Sequence, residues 1–350
     1  MLSTLNQRKN YFDLLRVISS FAVVVIHVTS AAMNTTEVSS QTYMANALLN
    51  SIMRWAVPVF FMISGALFLD PKREVTTKKL FTKIIPHIVI CIIIWGGIYS
   101  IIDQYLYGTL SVKSILIALY GIITGNTGYH LWFLYDILML YIAVPIFRLI
   151  TCNATKRQIE YALAVWFVVS IGVGHMNMIA EDIFGIVSLL PYQAYIVSGY
   201  AGYFLLGYYL DAYPLTGKMK FGSYMLSIMS VIAIVGGKLV LAMKVGRNTA
   251  SLEIPLGVFS CMISAGLFTA AQNIKLNENS AKITTALSKT SFGVYLVHVL
   301  LVTFLYKIIA IEPNCCGDII TPIISSIGVY GVSIAISYGL SKIPGIRKVV

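Results

Sequence analysis

Arg16 and His27 close the two ends of RVISSFAVVVIH, and every residue between them is apolar or hydroxylic. In a run this apolar, an ionisable group is costly and commonly functional. On an α-helix, eleven positions advance about 16.5 Å and complete roughly three turns, so both side chains fall on one face. Asp13, three residues before Arg16, is spaced for an ion pair. Ser19, Ser20 and Ser30 extend the pattern into a polar seam. A neutral imidazole can accept a proton near pH 7, and a guanidinium can hold an anion. Taken singly, Arg16 could snorkel to the interface and His27 could bond a neighbouring helix. Together on one face they favour a functional seam, although spacing alone does not say which reaction or pathway it serves.

The elements that carry this seam are membrane helices. The chain has 350 residues, 58% hydrophobic and only 11% charged, against about 25% charged in a soluble domain. Its mean hydropathy is +0.82. The fold class expected is all-α: a polytopic membrane protein of about ten transmembrane helices, forming one domain over 1–350 with no separate soluble domain. The spans read as approximately 13–32, 46–69, 84–104, 130–150, 159–178, 193–212, 221–243, 252–272, 291–310 and 320–341. The basic N-terminus before an apolar run imitates a signal peptide, but Asp13 and Arg16 inside the run favour a retained first helix. With a cytoplasmic N-terminus, the inner segments hold 19 of the 25 Lys and Arg, which places both termini inside. The net charge of +11 therefore reads as loop bias and not as a nucleic-acid surface. Segment 112–125 is short for a span and reads as interfacial or re-entrant. Five scattered Cys show neither metal spacing nor a CxxC pair, so no metal is expected.

Further motifs sharpen the reading. YFDLLR (11–16) followed by His27, VPVFFMISGALFL (57–69), KKLFTKIIP (78–86), HLWFLYDILMLYIAVPI (130–146) and SFGVYLVH (291–298) stand in order along the chain. Together they resemble the acyltransferase-3 family of integral membrane proteins, over essentially the whole sequence. The resemblance implies a membrane O-acyltransferase that moves an acyl group, commonly acetyl from acetyl-CoA, to a hydroxyl of an extracytoplasmic glycan or lipid-linked sugar. The compact form is most like bacterial surface-polysaccharide O-acetyltransferases, which implies the bacterial cytoplasmic membrane. It carries the family's Arg and His over to Arg16 and His27, and its inner basic loop to Lys78, Lys79 and Lys83. Arg is more usual in that loop, and Lys cannot grip a phosphate bidentately.

Acyl transfer from a thioester needs a base for the hydroxyl proton, stabilisation of the carbonyl oxygen and an anchor for the donor phosphates. His27 suits the first and Arg16 the last, and the ~16 Å between them is comparable with an extended pantetheine arm. His27 could also be acylated itself, as a covalent intermediate. His298, with Ser291 and Tyr295 on its face, is a further catalytic candidate. Arg54, His130, Trp132 and Asp136 are the candidates for acceptor binding. Ser64 and Gly65 read as a close-packing position. His87 and His175 read as interfacial, and Lys238 as snorkelling outwards. The same buried charges also suit a transporter. The membrane module of vancomycin-resistance serine racemases, proposed to move serine, is similar in this respect.

Overall fold

The computed structural model describes residues 9–109, 111–185, 199–245, 252 and 254–350. Among these, every regular element is a helix. α1 (Asn10–Asn34) fills the first expected span. α2 (Gln41–Met53) and α3 (Ala56–Phe68) make one crossing, broken at Arg54 and Trp55. Ser40 opens α2 by accepting a hydrogen bond from the Tyr43 N–H at 3.1 Å. A short α4 (Thr77–Lys79) leads through a π-helical turn, Leu80–Ile84, into α5 (Ile85–Leu106). That turn lies just before Pro86, which has no N–H to give the preceding turn.

α6 (Val112–Thr124) has 13 residues, about 20 Å of helix against a hydrocarbon core of ~30 Å. It starts on a Ser111–Ser114 capping box and stops at Gly125, whose φ of 78° needs a glycine. A straight crossing is out of its reach, as expected for 112–125. α7 (Trp132–Asn153) and α8 (Lys156–Trp166) follow, and a second π-helical turn joins α8 to α9 (Val173–Phe184). α10 (Ala201–Ala212), α11 (Gly217–Val245), α12 (Val258–Asn273), α13 (Glu278–Thr303) and α14 (Ile320–Lys342) complete the order.

Among the described residues, eight stretches are long and apolar enough to cross a membrane: 10–34, 41–68, 77–106, 132–153, 156–181, 217–240, 278–308 and 320–342. The chain is thus a multi-pass membrane protein. The other two expected spans, 193–212 and 252–272, correspond to the shorter α10 and α12. Residues 193–198 and 253, with Arg8 and Arg247, lie outside the described residues.

α1 is the central post, contacting α2, α3, α12, α13 and α14. Asn50 of α2 clamps it by donating to Ile26 O (2.8 Å), Thr29 Oγ1 (2.9 Å) and Ser30 Oγ (2.9 Å). Lys9 and Tyr11 tie its start to Asp211 at the end of α10, the lysine at 2.5 Å. Exposed Ile and Leu side chains on α5, α7, α11 and α14 form the lipid-facing surface.

Two expectations change here. Lys238 is only 2% exposed, so it does not snorkel. His175 is also buried, and its Nδ1 accepts from the Val258 N–H at 3.2 Å, opening α12. It is a structural cap and not an interfacial residue.

The close-packing expectation for Gly65 holds. A Cβ there would stand 1.7 Å from Phe204 O, and one at Gly207 would stand 1.9 Å from Met62 O. α3 and α10 thus touch backbone to backbone, which only glycine permits. Gly65→Val is expected to cost about 3 kcal/mol or more, because the obstructing atoms are main chain. A thermal unfolding midpoint in nanodiscs that matches the unaltered protein would contradict this.

Candidate active site

A cavity of about 490 Å³ opens among α1, α3, α5, α7 and α13. Arg16, Val23 and His27 line it from α1, so the helical turn count places both ionisable groups on one wall. Lys289 of α13 and His87 of α5 join Arg16 among the lining residues. Phe60, Ile88, Leu134, Ile137 and Phe292 give it apolar walls, and His130 and Tyr295 line it with His27.

Arg16 is held by a buried partner. Asp13 is 1% exposed, and its Oδ1 lies 3.3 Å from Arg16 Nη1. The carboxylate also accepts from Ser288 Oγ at 2.8 Å and Thr285 Oγ1 at 3.1 Å, both from α13. A buried carboxylate needs such partners. They leave Arg16, whose side chain is 30% exposed, aimed between α1 and α13.

Two further imidazoles gather beside His27. Its ring centroid lies 5.0 Å from that of His298 and 6.1 Å from that of His130, and the latter two are 5.6 Å apart. His298 is fully buried, with Nδ1 3.0 Å from Val294 O. A carbonyl only accepts, so Nδ1 carries the proton and Nε2 is a bare acceptor. His298 Nε2, His27 Nδ1 and both ring nitrogens of His130 are buried without a hydrogen-bond partner among the described residues. Such atoms are rare in a folded protein and point to a ligand, a water or a reacting group. His130 sits in the turn before α7, fixed by the Tyr295 hydroxyl donating to its carbonyl at 2.8 Å. No group of three or more His, Cys, Asp or Glu among the described residues is placed to hold a metal.

The other candidates divide. Trp132 lines the cavity, tilted against Tyr200 with centroids 5.4 Å apart. Arg54 and Asp136 do not line it; both lie within electrostatic range of Tyr200, and Arg54 is also within range of His27. Lys78, Lys79 and Lys83 are exposed on the α4 segment and also lie outside the lining. Ser64 lines the cavity and accepts from Tyr141 at 3.3 Å.

The continuous polar seam read from α1 is corrected. Ser20 turns to Tyr330 of α14 at 3.0 Å, and neither Ser19 nor Ser20 reaches the cavity. Val23 alone stands between Arg16 and His27 in the α1 part of the lining, so the path between them is apolar. His87 is likewise a wall residue and not an interfacial one. Lys289 was not marked by spacing: it lies nine residues before His298, two and a half turns, which puts it on the opposite side of α13 from that imidazole.

No curated protein and no solved structure matches this chain. The family model described as an acyltransferase domain, acyltransferase-3, matches residues 9–342. With its membrane-crossing helices and a buried Arg–His cavity, the chain belongs to the acyltransferase-3 family of membrane acyltransferases.

Proposed function

We propose that the protein transfers an acetyl group from acetyl-CoA, entering from the cytoplasm, to a hydroxyl of an extracytoplasmic glycan or lipid-linked sugar. The bacterial cytoplasmic membrane is the proposed location. The observation that carries this reading is the cavity with Arg16 and Lys289 among its lining and unpartnered imidazoles beside His27. Its volume lies in the range of small-molecule sites.

The cations suit the donor's phosphates, and the apolar walls suit its uncharged arm. Lys78, Lys79 and Lys83, exposed on the segment that leads to Ile84 in the cavity wall, supply further positive charge near that route. The thioester then lies near His27. His27 accepts the proton of the acceptor hydroxyl as its oxygen bonds to the acetyl carbon. The C–S bond breaks, and the resulting thiolate takes that proton back from the imidazolium. His298 is assigned as the positioning residue. Its bare Nε2 can only accept, so a direct hydrogen bond from His27 selects the His27 tautomer with hydrogen on Nδ1. That leaves His27 Nε2 as the base. His130, with two free nitrogens, suits the developing charge on the carbonyl oxygen or the acceptor.

His27→Ala is expected to lower kcat about a hundredfold or more, the usual worth of a general base. Wild-type turnover would remove the assignment. Arg16→Lys keeps a cation beside Asp13 but loses the planar fork. It is expected to raise the KM for acetyl-CoA roughly tenfold with little change in kcat. His298→Leu is expected to lower kcat about tenfold, the scale of one hydrogen bond, at unchanged KM for the donor. His298→Gln, whose carbonyl can accept, should recover part of that loss; equal kcat in the two variants would make His298 a packing residue only. Acetyl-CoA binding to the purified chain separates this reading from a solute carrier, which would bind none.

A further inference from the structure

A second cavity, about 530 Å³, opens beside the first between the end of α5, α6 and the turn 125–132. The two share Trp132 in their walls. The first is mostly apolar and carries Arg16 and Lys289, whereas among the described residues Asp103 is the one charged residue lining the second. Around Asp103 stand hydroxyls, side-chain amides and two large aromatic rings.

Part of this polar set is already engaged in holding the cleft open. Ser100 and Thr127 bond each other at 3.0 Å, and Gln104 bonds Ser114 of α6 through both ends of its amide, each at 2.8 Å. The turn between α6 and α7 needs Gly125 and Gly128, both at positive φ. Asp103, Tyr129 and Trp132 face the cleft in addition to these internal bonds. Lys307 is the cation that acts on Asp103, and its ammonium is occupied by Tyr107 Oη at 2.9 Å. Tyr129 is 65% exposed, yet its ring stands edge-on to His27 at 5.3 Å and to His130 at 5.7 Å. One aromatic side chain thus borders both the open cleft and the imidazole cluster.

We propose that this cleft is the acceptor site, and that it takes an uncharged, hydroxyl-rich ring such as a neutral sugar. The ring's C–H face packs on Tyr129 and Trp132. The Asp103 carboxylate accepts from its hydroxyls, and one remaining hydroxyl is directed past Tyr129 to His27. A carboxylate in the wall repels an acidic sugar or a phosphate, so selectivity comes as much from exclusion as from attraction. The role in transfer rests on the acetyl-transfer reading above, whereas sugar binding in the cleft is measurable without it.

Saturation-transfer NMR tests the binding on the full chain in nanodiscs, free of sugar-headed detergent. The probes are methyl glucoside and methyl glucuronide, which differ in one carboxylate. The glucoside is expected to bind about tenfold more tightly, the scale of one partly screened charge repulsion. Asp103→Asn should shrink that difference to about twofold, and Tyr129→Ala should weaken the glucoside about fivefold. Both side chains are exposed, and unchanged thermal midpoints would show that the variants remain folded. Equal binding of the two probes, no glucoside binding, or variants that bind as the unaltered protein does would overturn the proposal. Acetyl-CoA binding to the unaltered protein is measured in parallel. Donor binding without sugar binding removes the cleft and keeps the transferase reading. Sugar binding without donor binding keeps the cleft as a sugar site and removes the transferase reading.

Discussion

A carboxylate that is 1% exposed cannot stay ionised in an apolar interior without compensation. Among the described residues, its own helix supplies Asp13 with Arg16, and α13 supplies Thr285 and Ser288. That shared carboxylate joins the two helices that carry most of the site. Arg16 and His27 stand on one, and Lys289, Tyr295 and His298 on the other. If the joint loosened, the guanidinium would lose its aim and the imidazoles of the two helices would lose their mutual distance. The remaining packing serves the same end. Asn50 clamps α1 beside His27, and the glycine contact between α3 and α10 steadies the next wall.

The cavity separates tasks by polarity. For the donor proposed above, the cations match its charge and the apolar lining matches its long uncharged arm. Imidazoles with free nitrogens can exchange a proton. The adjoining cleft has the opposite character, lined by polar groups and a single carboxylate. Two substrates of different charge would therefore approach His27 through different surroundings.

The helical period made part of this legible in the sequence. Arg16, Val23 and His27 share a face by spacing alone, and the structure puts all three in one wall. Asp13 reads as a partner of Arg16 by the same rule, and the eight long spans follow from apolar run length. What the sequence hides is which way a helix face looks. Ser20 is polar and near the seam, yet Tyr330 draws it to α14. His87 lies where an interfacial residue belongs by position, and only the packing of α5 puts it in the cavity wall, while Lys289 borders the cavity from an exposed position on α13. Lys238 fails for the same reason, since its surroundings are set by neighbouring helices and not by its depth along α11. The short α10 and α12 show a further limit: an apolar run sets an upper bound on a helix, while caps such as His175 decide where it starts.

The Asn50 clamp also sets the two sides of the site apart. It uses the second lone pair of a helix carbonyl immediately before His27 and holds two hydroxyls one turn further on. The turn that carries His27 is thereby a fixed mount, bound to α2 and surrounded by other helices. The opposite wall, α5 and α7, has bare aliphatic flanks towards lipid. The two jaws of the cavity thus differ in their backing: packed helices stand behind His27, and exposed aliphatic side chains behind the far wall.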